Sequence, residues 1–254
     1  MPITRYLERN ARQWPDDIAL VELNPAAEAK SLTAWKEYDL TEPSAEGPYR
    51  RQITWKVFDE KANRTANALL ARGICKGDKV GILLMNCLEW LPTYFGILKA
   101  GAVAVPLNFR YAADEIQYCV DLADIDILIF GPEFESRVSE ILPTLSYKRL
   151  LFYIGDTCPK FAANFTSETS NYSSRAPQTN VTDDDYAAIY FSSGTTGFPK
   201  AILHRHRALA LRRGRTKPPR PAEGRRFSMH SSAVPHRRKN ALVRKPLHRR
   251  ARRF

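Results

Sequence analysis

The first 203 residues contain no histidine; all five (His204, His206, His230, His236, His248) lie in the last fifth of the chain. A Ser-His or Cys-His catalytic pair and a histidine zinc site are therefore excluded from the body. Cysteine is sparse, and Cys75, Cys87, Cys119 and Cys158 show no CxxC spacing, which predicts buried reduced thiols rather than disulfides or a metal site. No run approaches the roughly 18 apolar residues that a membrane span requires. The N-terminal stretch Met1-Pro-Ile-Thr-Arg-Tyr-Leu-Glu-Arg9 has no apolar core of a secretory signal. Both point to a cytoplasmic chain with no transmembrane segment. In that setting the sequons at Asn63, Asn164, Asn171 and Asn180 read as chance. The body has no GxGxxG fingerprint. It has no Walker loop either, because Phe198 and Pro199 separate Gly197 from Lys200.

Charge is abundant but unevenly placed. The net charge is +12, yet 18 of the 39 basic residues and only one acid, Glu223, fall between His204 and Phe254. The first 203 residues hold 26 acids against 21 bases, the balance of an ordinary, mildly acidic globular domain. The length of 254 residues allows one large domain or two small ones.

Apolar periodicity alternates between helix and strand along the body. Thr54 is placed to cap a helix carrying Val57, Phe58, Ala62, Ala66 and Leu69 on one face, ended by Gly73. Lys79 to Met85 reads as a strand buried on both faces. Asn86 with Glu89 resembles a capping box that opens a helix toward Ala100, although Pro92 sits awkwardly inside it. Strands follow at 103–107, 125–130, 150–154 and 186–191, with helices at 114–122 and 133–142. Pro159 to Asp185, rich in Ser, Thr and Asn, reads as a loop or a poorly ordered connection. This pattern predicts an α/β fold of βαβ units, a mainly parallel sheet flanked by helices.

The segment Tyr190-Phe-Ser-Ser-Gly-Thr-Thr-Gly-Phe-Pro-Lys200 follows the last of these strands. Glycines let backbone approach an anion, the hydroxyls donate, and a lysine adds positive charge. Carboxyl ends of strands are also where open α/β sheets bind ligands. Ile189 to Lys200 fits an apolar residue, two variable positions, two small hydroxyl residues, Gly, two hydroxyl residues, Gly, any residue, Pro, Lys. That pattern resembles the phosphate loop of the adenylate-forming (AMP-dependent synthetase/ligase) superfamily, and most of all the acyl-CoA synthetases. Upstream, Ile53-Thr-Trp-Lys-Val-Phe with Ala62-Asn-Arg, Gly77 to Trp90, and Leu98 to Asn108 resemble further blocks of the same family in the same order. The likeness covers about Tyr6 to Leu209. Ala201 departs from it, since the family usually has Gly after the lysine.

The resemblance implies ATP, Mg²⁺ and CoA as cofactors and a carboxylic acid as substrate, with full binding of the cofactors not expected in this portion alone. A carboxylate would attack the α-phosphate of ATP, giving an acyl-adenylate that is passed to the thiol of CoA. Ser192, Ser193, Gly194, Thr195, Thr196, Gly197 and Lys200 would cradle the β,γ-phosphates, with Thr196 on the magnesium side. The family's later elements are not found after Lys200: the Tyr-Gly-x-Thr-Glu block, the ribose-binding Asp and the C-terminal lysine domain. Residues 1–211 are therefore expected to form an incomplete N-terminal part of the large domain, inactive by itself and prone to aggregation or chaperone retention.

The Arg/Pro/His-rich tail, 212–254, is expected to be disordered. A basic arm for nucleic acid or an anionic surface is one reading of it, but aromatic interleaving and a recognisable binding module are missing. A frameshift accounts for more. Read one base later with permitted codons, Gly224 to Arg250 yields an apolar strand and a His-Thr-Gly turn.

Overall fold

Thr4, Leu7 and Asn10 recur at a helical spacing of three residues, and α1 (Thr4–Gln13) forms there and buries all three. The computed structural model describes residues 1–24, 49–145, 150–192 and 199–210. Strand β1 (Ile18–Asn24) pairs antiparallel with β2 (Tyr49–Thr54) as a separate two-stranded ribbon. Thr54 then caps α2 (Trp55–Ala71), its hydroxyl accepting from Val57 N–H at 3.3 Å. Phe58, Ala62, Ala66 and Leu69 are buried as their spacing predicts, but Val57 faces solvent.

Next come β3 (Lys79–Leu83), α3 (Trp90–Lys99), β4 (Val103–Pro106), α4 (Ala113–Leu122), β5 (Ile127–Phe130), α5 (Glu135–Ile141) and β6 (Leu150–Tyr153). The remainder is β7 (Ala163–Asn164), α6 (Phe165–Ser170), β8 (Tyr186–Ser192), β9 (Lys200–Arg205) and α7 (His206–Ala210). Seven strands form one sheet in the order β7-β6-β5-β3-β4-β8-β9, parallel except for the β8–β9 hairpin.

Alternation along the strands divides the core in two. Val80, Ile82, Ala104, Ile127, Ile129 and Phe152 face α2, α3 and α6. Leu83, Val103, Val105, Leu128, Phe130 and Tyr153 face α4 and α5. Strands covered on both faces are apolar along their buried length, hence the run without a polar side chain at 80–85. The expected α/β architecture with a mainly parallel, helix-flanked sheet is what the structure shows.

Two expectations are corrected. Asn86 does not open α3; the helix begins at Trp90, after Glu89. Pro92 then occupies the first turn, where its missing N–H would have had no intrahelical partner. The N–H of Leu88 is instead held by the buried carboxylate of Glu22 on β1, at 2.8 Å.

The stretch 159–185 is also more than a loop. It contains β7 and α6, the latter capped by Asn164, and residues 170–175 lie along α2 under a row of polar side chains. Asn63 Nδ2 donates to Ser174 O at 2.9 Å, and Arg64 Nη1 to Ser170 O and Tyr172 O at 3.0 and 2.6 Å. Asn67 Nδ2 donates to Ser173 O and Arg175 O at 2.7 and 3.0 Å. Arg72 grips Glu168 with two hydrogen bonds of 2.8 and 2.7 Å, and that pairing lowers the Glu168 pKa. Ser, Thr and Asn are poor helix formers, but here it is their backbone carbonyls that are used, by donors from another element. The ladder buries Asn63 to 3% exposure, so its sequon is inaccessible.

Lys99, at the end of α3, is 3% exposed and ionically held. Its ammonium donates to Asp59 Oδ1 at 2.7 Å and Asn63 Oδ1 at 2.6 Å, fastening α3 to α2. The four cysteines are free thiols, but of the four expected to be buried only Cys119 is; Cys75 is exposed and Cys87 and Cys158 are half-buried. Burial pushes Cys87 and Cys119 up to about 12. No helix among the described residues is long and apolar enough to cross a membrane.

Candidate functional site

The connection leaving β3 runs to α3 on one face of the sheet, and the connection leaving β4 runs to α4 on the other. Adjacent parallel strands with diverging exits leave a crevice at their carboxyl ends. β8 lies against β4, pairing Ala188 with Ala104, so its own carboxyl end is delivered beside that crevice. The candidate phosphate segment starts there.

β8 and β9 are antiparallel, and their register pairs Ser192 with Lys200. Directly opposed residues in such a ladder project their side chains to the same face, about 4.5–5.5 Å apart at Cβ. A hydroxyl and an ammonium thus form the two posts of a short hairpin, and Lys200 is exposed to solvent. Pro199, buried just before Lys200, has no N–H to contribute and fixes φ at the entry to β9. Of the residues read from the sequence as a phosphate cradle, the structure places Ser192 and Lys200 together; Ser193, Gly194, Thr195, Thr196 and Gly197 lie outside the described residues. So do Leu211 and the basic tail, 212–254.

The stem is anchored at its far end by charge. Thr182, Asp183, Asp184 and Asp185 precede β8, and the far end of β9 is tied to them. Arg207 Nη1 pairs with Asp184 at 2.7 Å, and Arg205 Nη1 donates to Asp184 O at 2.6 Å. Lys76 Nζ pairs with Asp185 at 2.7 Å, and the Met1 ammonium with Asp183 at 2.8 Å. His206 closes the turn into α7. It is fully buried, its backbone N–H reaches Asp185 O at 3.0 Å, and neither ring nitrogen has a hydrogen-bond partner. Burial drives its pKa down to about 4, so the ring is neutral.

A hydroxyl and an ammonium on one face suit an oxyanion. Thr196, the residue expected on the magnesium side, lies outside the described residues; among the described ones no group of three or more His, Cys, Asp or Glu gathers. A cavity of about 140 Å³ lies elsewhere, between α1, the end of α3 and residues 176–181, and includes neither Ser192 nor Lys200.

Several residues beside the candidate site were given no role by their sequence, Tyr190 among them although it heads the candidate phosphate segment. Tyr190 packs on the α3 face of β8, its hydroxyl 2.8 Å from that of Tyr94. His204 of β9 sets its ring edge-on to Tyr190, at 5.4 Å between centroids. The period-two spacing of Tyr190 and Ser192 was the available signal for the first. Nothing local marks Tyr94. β9 itself was not anticipated, since Lys200 to Arg205 is a short run with only Ala201, Ile202 and Leu203 apolar.

The chain resembles known carboxylate–CoA ligases in sequence and in structure. It is 33% identical over 165 residues to a medium/long-chain-fatty-acid–CoA/3-oxocholest-4-en-26-oate–CoA ligase of Mycobacterium marinum, covering 61% of this chain and 30% of that protein. It is 34% identical over 206 residues to a crotonobetaine/carnitine–CoA ligase of Citrobacter koseri, covering 78% of this chain and 37% of that one. An anthranilate CoA ligase solved with anthranoyl-AMP superposes with a TM-score of 0.67 at 26% identity, over 83% of this chain and 36% of that structure. The chain thus spans about a third of the length of these relatives. The model of the AMP-binding enzyme family matches residues 7–217. With the crevice, the hairpin and these likenesses in agreement, the chain belongs to the AMP-binding enzymes, the adenylate-forming family that includes the acyl-CoA ligases.

Proposed function

We propose that this chain is the N-terminal, phosphate-handling portion of an ATP-dependent acyl-CoA ligase. Residues 1–211 form the body and 212–254 a separate basic extension. The observation that carries the reading is the Ser192–Lys200 pairing at the mouth of the β8–β9 hairpin, beside the sheet's switch-point crevice. In the reaction this implies, a carboxylate oxygen bonds to the α-phosphorus of ATP while the bond to the β-phosphate oxygen breaks. Pyrophosphate leaves, and the thiol of CoA then displaces AMP from the acyl carbon. The first step concentrates negative charge on the departing diphosphate. Preorganised donors and a fixed cation lower the cost of that charge most effectively where they need not reorganise. Ser192 would donate from one post of the hairpin and Lys200 supply the cation from the other. The loop 193–198 would contribute hydroxyl and backbone donors, with Thr196 on the metal. Mg²⁺, when bound, would neutralise part of the same charge.

The relatives act on fatty, steroid-derived, carnitine-type and aromatic acids, as their names state. The acid for this chain is therefore assigned only as a carboxylic acid. The later elements of the family being unfound after Lys200, the 254-residue protein is expected to bind the polyphosphate without completing adenylation.

Calorimetric titration of the 254-residue protein with Mg-pyrophosphate and with MgATP tests this. Saturable binding is expected, with Lys200→Met weakening it about tenfold at low salt through loss of one charge-assisted contact. Carboxylate-dependent pyrophosphate exchange is expected to be absent. A Lys200→Met protein that binds as tightly as the unaltered chain would remove the lysine from the site.

A further inference from the structure

Tyr190 lies two residues before Ser192 on the same face of β8, and the phosphate reading assigns it nothing. The pairing of β8 with β4 is at Ala188 and Ala104. Four residues further on, Ser192 is paired with Lys200 of β9, which is itself the edge strand among the described residues. The working end of the hairpin therefore projects past its ladder to the body of the sheet. Side-chain contacts must hold it there.

Tyr190 supplies such a contact. Its hydroxyl meets that of Tyr94 at 2.8 Å, and Tyr94 is 5% exposed in the middle of α3. Tyr94 is in turn stacked on Trp90 at 5.4 Å between centroids and lies edge-on to Phe95 at 6.0 Å. Its ring has little room to follow a moving partner. Burial, reinforced by Tyr190, raises the Tyr94 pKa well above the ordinary phenol range, so the Tyr94 hydroxyl keeps its proton. From the other side, His204 packs its ring against Tyr190 diagonally across the hairpin. Tyr190 is thus gripped by α3 and by β9 at once.

The geometry points to Tyr94 and Tyr190 as a positioning bridge: a hydroxyl contact from α3 that holds the end of β8 so that Ser192 and Lys200 face the polyphosphate of a bound nucleotide. The inference rests on the phosphate reading above. The bridge touches no substrate and acts through the two posts of the hairpin. Losing it leaves the rings and their packing in place and frees the hairpin mouth.

Tyr94→Phe and Tyr190→Phe remove one hydroxyl each and keep the ring. In the full 254-residue protein, Mg-pyrophosphate affinity should fall about three- to tenfold in either variant, the loss of roughly one hydrogen bond. The double variant should be no weaker than the singles, because all three lack the same bond. Amide hydrogen exchange should quicken at 189–192 and 200–203 and stay unchanged at 127–130 in the sheet centre. If the variants bind as tightly as the unaltered protein and merely melt earlier, the hydroxyls are structural and the bridge is overturned while the phosphate reading stands. If the unaltered protein shows no affinity for Mg-pyrophosphate, the phosphate reading falls and this role falls with it.

Discussion

Replacing Gly96 by alanine should unlock α3 from α2. A Cβ built at Gly96 would lie 2.4 Å from Thr65 Cβ, 2.5 Å from Thr65 Cγ2 and 2.9 Å from the carbonyl oxygen of Ala62. Carbon atoms rest about 3.5–4.0 Å apart, so the two helices must separate locally by about 1 Å. Tyr94, Ile97 and Leu98 are buried residues of α3, and a shift of that helix moves all three. Overpacking of this kind costs about 1–3 kcal/mol and occasionally more, while exchanging Gly for Ala inside a helix returns about 1 kcal/mol. Because two of the three contacts are a backbone atom and a Cβ, neither of which can rotate away, the upper part of the range applies. The expected net loss is about 2 kcal/mol. With a urea m-value of about 2 kcal/mol/M for a domain of this size, the midpoint should fall by about 1 M, followed by tryptophan fluorescence.

The geometry also predicts which second change helps. Thr65→Ala should not rescue Gly96→Ala, because the alanine keeps its own Cβ and the Ala62 carbonyl is untouched. Thr65→Gly should restore part of the loss. Gly81→Ala provides the comparison: its nearest neighbours, at 2.9 and 3.1 Å, are the terminal methyls of Leu128 and Ile125, which can turn aside, so its cost should be smaller. A Gly96→Ala protein as stable as the unaltered chain would refute the close-packing argument. The same substitution should weaken Mg-pyrophosphate binding, since it carries Tyr94 away from Tyr190.

His206 makes stability depend on pH. The imidazole titrates at about 4 in the folded chain against about 6.5 for the free group, so between those values the unfolded chain takes up a proton that the folded one refuses. Stability should be level above about pH 6.5 and fall as pH drops toward 4, by on the order of 3 kcal/mol at the low end; His206→Phe should flatten that slope in urea midpoints measured from pH 7.5 to 4.5. Arg64→Ala and Asn67→Ala should loosen the strap at 170–175. At about 1 kcal/mol per lost hydrogen bond, limited proteolysis within those residues should quicken about fivefold, with the global midpoint nearly unchanged. An unchanged cleavage rate would show that the ladder does not hold the segment.

Much of the sheet was legible because strands covered on two faces write apolar runs, as 80–85 and 127–130 do. Helix α2 was legible from its cap and its 3.6-residue apolar stripe. Three features were not. Val57 satisfied the stripe but sits at its rim, and periodicity does not resolve one helical step. Asn86 has the residue type of a cap, yet the turn that starts α3 is decided by Glu22, 66 positions away along the chain, holding Leu88 N–H. The strap at 159–185 looked unstructured because its order comes from donors on α2, and a polar sequence carries no mark of a partner elsewhere.

The amino-acid sequence alone determined the class of fold, the place of the candidate phosphate segment after the last parallel strand, and the family, since all three depend on local periodicity and residue chemistry in a short span. Tertiary structure alone decided that Ser192 stands opposite Lys200, that Tyr94 on α3 reaches Tyr190, and that a charged clamp of Asp183, Asp184 and Asp185 ties off the far end of the hairpin. Tyr94 and Tyr190 are distant along the chain, and the register of the hairpin depends on how neighbouring strands and helices pack, a property no single segment carries.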